Sequence, residues 1–446
     1  MSSPRFVSTR DAASSATFEE ALLRGLAPDG GLYVPREWPR LDSVALAAQL
    51  GTGAATGTTS VTGLVRLAEL MLEPFMQGST LGPMLSDIAT EAFSFATPLV
   101  QLLPRSRLSV LELFHGPTAA FKDFGARFLA ASLARLRANA RHPLRILVAT
   151  SGDTGGAVAA AFHRRAGIGV DVLFPQGLVS PTQQHQLTCW GDNVQAFAVR
   201  GTFDDCQRLV KEAFLDRALR ERYDLSSANS INLGRLLPQA VYYGAASLEI
   251  WRAHGEAASF VVPSGNLGNA LACVWARKLG FPIGEIVLAH NANRTVPDYL
   301  QSGQWRPRPS IATLASAMDV GNPSNMERLG ALYPAASTLR AALSADSVDD
   351  AQIRARIRTG FADFGQVWCP HTATAAEVYA RLPAGRREAA RWVIVATAHP
   401  GKFREIIEPL IGRTVPVPTS LAQLFTRPSH FVEIDPDLAG LRGALA

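Results

Sequence analysis

The 446-residue sequence predicts an α/β protein built on parallel sheet, with a mainly helical segment ahead of it. Three observations carry that expectation. Short, β-rich and mostly apolar runs recur at 146–150, 170–174, 260–263, 285–289 and 392–397. Each lies next to a helix-like stretch, and mostly apolar rather than alternating runs are what strands need when both faces are covered. Ahead of about residue 95 such runs are missing; the pattern there is mostly helical, with a turn signal at 28–31 and loop composition over 51–60.

Composition narrows the field. The chain is 47% hydrophobic and 18% charged, which excludes a disordered or low-complexity protein. Apolar stretches break well short of the ~18–20 residues that span a bilayer, and the N-terminus has no apolar leader region, so neither membrane insertion nor a signal peptide is expected. Cys189, Cys206, Cys273 and Cys369 show no CxxC spacing, which suits a reducing compartment and a cytoplasmic location. The net charge is +5, but the arginines are interleaved with acids and form no basic run. Nucleic acid is therefore not an expected partner, and a small anionic ligand is. No HExxH or clustered Cys/His pattern calls for a metal. Only four residues are lysine: Lys122, Lys211, Lys278 and Lys402.

The loops that follow the strands concentrate the chemistry. In Phe114–Gly125, Lys122 sits among Phe121, Phe124 and small residues. A lysine in an apolar run is costly unless it is paired, snorkels or functions as a nucleophile and base. Ser151, Gly152, Asp153 and Thr154 follow the strand at 146–150 and open a helix; exposed N–H groups there favour an anion, although a plain capped turn would read the same way. Asn229, Ser230, Asn232 and Arg235 cluster amides, a hydroxyl and a guanidinium. From that segment alone a capped helix start with a solvated arginine is the simpler reading. Gly265, Asn266, Leu267, Gly268 and Asn269 repeat the strand–loop–helix device without a P-loop or GxGxxG pattern. Thr397 ends the last clear strand, and Lys402 follows it closely. Pyridoxal 5′-phosphate fits these parts: it needs a lysine, a glycine-rich helix start for its phosphate and a partner for its ring nitrogen.

The motifs then resemble a known family. FVSTR with FEEALLRGLAPDGGLYVP, FHGPTAAFKDFG, TSGDTG, NSIN with Arg235, PSGNLGN, AMDVGNPSN and TAHPGKF run from residue 6 to about 403. In that order they resemble the threonine synthase family, in its branch with a long N-terminal domain. The resemblance implies PLP fold type II, similar to tryptophan synthase β. It divides the chain into an N-terminal domain (1–95), a large cofactor domain (96–125 and 236–446) and a small α/β domain (126–235). It implies that Lys122 bonds the cofactor and shuttles protons, that Gly265, Asn266, Leu267, Gly268 and Asn269 hold the cofactor phosphate, and that Thr397 meets the ring nitrogen. Ser151, Gly152, Asp153 and Thr154 would hold the substrate carboxylate end. Asn229, Ser230, Asn232 and Arg235 would hold the substrate phosphate. Related fold-type II enzymes often carry Asn where Asp153 stands. Lys402 is left between charging that phosphate and serving structure. His115 and His371 read as structural, because Lys122 already supplies a base.

The implied reaction turns O-phospho-L-homoserine and water into L-threonine and phosphate, the last step of threonine biosynthesis, in a monomer or homodimer. Two alternatives remain at this point. One is a phospho-lyase that makes 2-oxobutyrate, ammonia and phosphate. The other is a non-catalytic scaffold with the same fold.

Overall fold

A computed structural model describes residues 4–50, 57–104, 106–140 and 142–445, the side chain of Val44 excepted. The loop expected over 51–60 falls outside these at 51–56. The N-terminal segment holds the helices Phe18–Arg24, Val61–Met76 and Leu85–Ala92. It also holds a small antiparallel sheet in the order Ser15–Ala16, Phe6–Ser8, Tyr33–Pro35, which the sequence reading lacked. Strands of two or three residues are too short to leave a legible period-2 pattern.

Two mostly parallel sheets follow. The larger runs in the order Ser344–Ser347, Ile283–His290, Ala258–Pro263, Arg391–Ala396, Leu108–Glu112, Leu99–Gln101. Only the last pair is antiparallel. The smaller runs Val432–Ile434, Val194–Val199, Ile168–Pro175, Leu144–Ala149, Asp224–Ser227, all parallel. The expected large-domain range of 236–446 therefore needs correcting at its end. Val432–Ile434 returns to the small sheet, and Leu441 and Leu445 behind it pack with Leu147, Leu173 and Phe197. A three-residue strand with two exposed positions carries no sequence signal of where it docks.

Successive residues of a strand face opposite sides, so an unbroken apolar run fills two cores. In Arg391–Ala396, Val393 and Val395 join the core between the sheets, and Trp392 and Ile394 join a separate core on the outer face. Ile146 and Val148 face inward, and Leu147 and Ala149 face the outer core of the small sheet. The helices Lys122–Leu136, Ala240–His254 and Gly268–Lys278 contribute buried side chains to the central core. In this layout the carboxyl ends of Leu144–Ala149, Ala258–Pro263 and Arg391–Ala396 open onto one crevice, where open α/β sheets place their ligands.

Candidate active site

The crevice brings together Lys122, Ser151, Asp153, Thr154, Asn229, Ser230, Arg235, Gly265, Asn266, Leu267, Gly268, Asn269 and Thr397. Gly152 and Asn232 lie outside its lining. Gly152 shapes the turn instead, with φ 132° and a virtual Cβ 2.5 Å from the Gln183 side chain.

Lys122 is the first residue of its helix. The loop before it is fastened at both ends. Asp123 accepts from the Thr118 amide (2.9 Å) and hydroxyl (2.6 Å). Phe121 N–H donates to the Thr397 carbonyl (2.9 Å), and His399 N–H donates to the Ala119 carbonyl (3.0 Å). The lysine loop and the Thr397 loop are thus one hydrogen-bonded unit. Burial pushes the Lys122 amine down to about 8; Asp153 opposes that shift, while Arg235 and Lys402 reinforce it. Near neutral pH a far larger fraction of this amine is unprotonated than of an ordinary lysine, which suits a nucleophile and base.

Asp153 starts the helix Asp153–Phe162 and is buried. Lys402 Nζ lies 2.6 Å from Asp153 Oδ1 and donates to the Thr118 carbonyl at 3.1 Å. Burial disfavours the charge on Asp153, yet Lys402 and Lys122 together hold the carboxyl well below its ordinary range. Lys402 itself is fully buried and outside the lining.

Arg235 differs from the solvated arginine that its segment alone suggested. It is 2% exposed, donates to the Ala228 carbonyl, and keeps a buried Nε without a partner among the described residues. Burial lowers it to about 10, so it stays a cation facing the crevice. Ser230 Oγ accepts from Asn266 (2.9 Å) and Asn325 (3.1 Å), which leaves its own proton to donate. Asn229 donates to the Ala149 carbonyl at 2.9 Å. Asn232 does not reach the crevice. It caps the helix Leu233–Leu236, accepting from Gly234 N–H and donating to the Leu22 and Ser227 carbonyls. Its expected part in phosphate binding gives way to that structural role because its carboxamide is committed on both ends.

The Gly265–Asn269 loop opens the helix Gly268–Lys278, whose N-terminus has no side-chain cap. The first amides of a helix have no partner within it, so this end presents open donors and the positive end of the dipole. Leu267 sits at φ 64°, a conformation that bulky residues rarely adopt outside functional loops. Asn269 adds a buried Nδ2 with no partner among the described residues.

Sequence reasoning set His371 aside as structural and overlooked Arg328. His371 lines the crevice, and its Nε2 accepts from Ala317 N–H at 3.1 Å. An accepting Nε2 places the proton on Nδ1, and burial, which lowers His371 to about 4, keeps the ring neutral. It is a fixed acceptor for the loop that carries Ala317 and Met318. Arg328 is fully buried and donates to the carbonyls of Tyr33, Ser230 and Ile231. It ties the N-terminal sheet to the segment that carries Ser230 and Ile231. His115 pairs with Glu112 at 2.7 Å and does not line the crevice.

The donor set fits pyridoxal phosphate. A perturbed amine, an uncapped helix start with an unpaired amide beside it, and a strand-end threonine surround one space. A Cβ on Gly265 would come within 2.6 Å of Met318 Cα, so the loop is held at a separation only glycine permits.

Fold and site together define a pyridoxal-phosphate-dependent enzyme of fold type II. Residues 93–398 match the family model described as pyridoxal-phosphate dependent enzyme. Residues 5–53 and 372–444 match the N-terminal and C-terminal models of threonine synthase. The threonine synthase of Haemophilus influenzae is 37% identical, with 96% of each chain covered, and that of Escherichia coli is 35% identical, with 97% of each covered. The crystal structure of the Escherichia coli enzyme superposes with a TM-score of 0.89 at 34% identity, covering 99% of both chains. The pyridoxal phosphate-bound enzyme of Brucella melitensis gives 0.88 at 34% identity, again with 99% coverage. The chain belongs to the threonine synthase family.

Proposed function

We propose that the protein converts O-phospho-L-homoserine and water to L-threonine and phosphate, with Lys122 as the group that bonds the cofactor and moves protons. The observation that carries the reading is the pairing, in one crevice, of a depressed lysine amine with a buried arginine that forms no ion pair among the described residues. When bound, pyridoxal phosphate supplies a carbonyl for the substrate amine and a ring that accepts the electron pair left at Cα. Gly265–Asn269 would hold its phosphate through open amides, and Thr397 would meet its ring nitrogen.

The remaining work belongs to side chains of this chain. Ser151, Asp153 and Thr154 orient the carboxylate end of the substrate at the start of their helix. Lys122 takes the proton from Cα; a proton then leaves Cβ, whose electron pair expels the phosphate from Cγ, and protons return to Cγ and Cα. Arg235, Ser230 and Asn229 hold the phosphate at Cγ, so the departing dianion meets fixed charge and dipoles instead of reorganising water. A water then adds at Cβ. The two sheets act as the large and small units of the expected domain division, with the described residues of the N-terminal segment packed against them, and substrate bridges the crevice between. The four described cysteines are buried and unbridged, which supports a cytoplasmic setting. No described helix is long and apolar enough to cross a membrane.

The test is to incubate the purified protein with O-phosphohomoserine and identify the organic product. Threonine with stoichiometric phosphate is expected. Release of 2-oxobutyrate and ammonia without threonine would assign the protein to phospho-lyase chemistry instead. Light scattering of the same sample distinguishes monomer from homodimer.

A further inference from the structure

We propose that Lys402 is a positioning residue that takes up the charge of Asp153, and so keeps that carboxylate from fixing Lys122 as an ammonium. The proposal rests on the reading of Lys122 as the amine that bonds the cofactor.

Three segments meet at Lys402. Its own short turn, Pro400–Lys402, follows the strand Arg391–Ala396 of the large sheet. Thr118, whose carbonyl it bonds at 3.1 Å, belongs to the loop that carries Lys122. Asp153, at 2.6 Å, opens a helix of the small sheet's side. The two charged side chains are 1% and 4% exposed. Water therefore screens them little, and their geometry is set by protein contacts. Gln183 Nε2 completes the coordination of Asp153 Oδ1 at 3.1 Å, and Gln186 Nε2 reinforces the Thr118 carbonyl at 3.2 Å.

The charges around Lys122 explain why this arrangement matters. Asp153 faces it from one helix, Arg235 from a second, Lys402 from the turn after Thr397, and the neutral His371 from a fourth element. Asp153 is the anion in that set and favours the protonated amine. Arg235 and Lys402 oppose it. Among the described residues the ion pair of Asp153 is with Lys402, not with Lys122. Were Lys402 neutral, Asp153 would be left buried and charged with Lys122 as the next ammonium, and a paired ammonium is neither nucleophile nor base. An asparagine in place of Asp153 would leave the opposite imbalance, with cations alone around the amine. The acid and Lys402 thus make sense as a pair: the crevice keeps a carboxylate at the helix start without giving up the reactivity of Lys122.

The experiment uses the full chain, freed of cofactor, in four forms: wild type, Lys402→Met, Asp153→Asn and the double variant. Lys122 is labelled with trinitrobenzenesulfonate over a pH series, and its peptide is quantified by mass spectrometry. The midpoint reads the protonation of Lys122 whether or not Lys122 is the cofactor lysine. In parallel, the visible band that forms on adding pyridoxal phosphate is followed over the same pH range. Lys402→Met should move the labelling midpoint up by about one pH unit. Asp153→Asn should move it down, and the double variant should return toward wild type. The step from Asp153→Asn to the double variant measures Lys402 in a form with no unpaired buried carboxylate, so it stands even if Lys402→Met does not fold. Equal midpoints in Asp153→Asn and the double variant would overturn the proposal. Shifted midpoints in a protein that forms no visible band would uphold it and refute instead the role of Lys122 as cofactor lysine.

Discussion

Tyr242 Oη donates to Asn269 Oδ1 at 2.6 Å, and Tyr243 Oη donates to the same oxygen at 2.9 Å. Burial raises both phenols well above their ordinary range, so both are neutral donors. Two donors on one oxygen fix which end of the carboxamide is which, and they leave Nδ2 as the end without a partner. The amide is thereby aimed before any ligand arrives, which lowers the ordering cost of binding. Tyr242→Phe and Tyr243→Phe should each weaken pyridoxal phosphate binding by about 1 kcal/mol, roughly fivefold, and the double variant by more. Titration of the visible band gives the Kd, and urea unfolding of the same variants separates this from a general loss of stability.

Arg235 gives a sharper expectation. A planar guanidinium can bond the Ala228 carbonyl and still offer its unpaired Nε, whereas a lysine ammonium is a single point of charge on a flexible stem. Arg235→Lys keeps the charge and loses that division of labour. The expected result is a fall in kcat/KM of about 30- to 150-fold, equivalent to about 2–3 kcal/mol. If Arg235 holds the leaving phosphate, kcat falls along with it; an unchanged kcat with only a raised KM would confine Arg235 to ground-state binding.

Legibility in the sequence followed the range of the interactions. Strands and the glycine-rich loops were readable because periodicity and local turn chemistry reside within ten residues. Lys122 stood out because its neighbours are apolar. Lys402 was noticed but left between two roles, since its partner Asp153 lies in a different sheet's connection and only the fold joins them. Asn232 misled for the opposite reason. Its motif is polar and local, but its carboxamide is consumed by Leu22 and Ser227. Arg328 was invisible because it bonds backbone carbonyls, which every residue has. Val432–Ile434 showed no sign of its docking because three residues cannot specify a partner strand.

His371 predicts a pH dependence with a definite sign. Folding lowers its pKa from 6.5 to about 4 by burial, so the unfolded chain binds more protons between those values. Stability from this group is fully present above about pH 6.5 and is lost as pH falls toward about 4, by about 3 kcal/mol in all. Protonation would also remove the Nε2 acceptor from Ala317 N–H. Asp319 works the other way: burial raises it to about 7, so its contribution is present below its unfolded value and lost as pH rises through about 7. Comparing wild type with His371→Asn by urea unfolding cancels Asp319. The stability gap between them should be widest near neutral pH and shrink steadily on acidification. A gap independent of pH would mean that His371 titrates normally in the folded protein.

Gly265 tests the cradle itself. An alanine Cβ there would lie 2.6 Å from Met318 Cα and 3.1 Å from the Met318 carbonyl carbon. Backbone cannot rotate aside as a side chain can, so either the Gly265–Asn269 loop or the loop carrying Met318 must shift. Overpacking of this kind costs about 1–3 kcal/mol. Both loops line the crevice, so the cost should appear in cofactor binding as well as in Tm. Gly330→Ala is the matched control: it lies within the helix Met326–Leu332, and nothing stands within 4 Å of its virtual Cβ. The control should bind pyridoxal phosphate as wild type does and melt at the same temperature or slightly higher, because alanine is the better helix former. Gly265→Ala should bind the cofactor at least fivefold more weakly, the equivalent of about 1 kcal/mol. Wild-type affinity in Gly265→Ala, alongside a lowered Tm, would show that the loop supports the fold without cradling the phosphate.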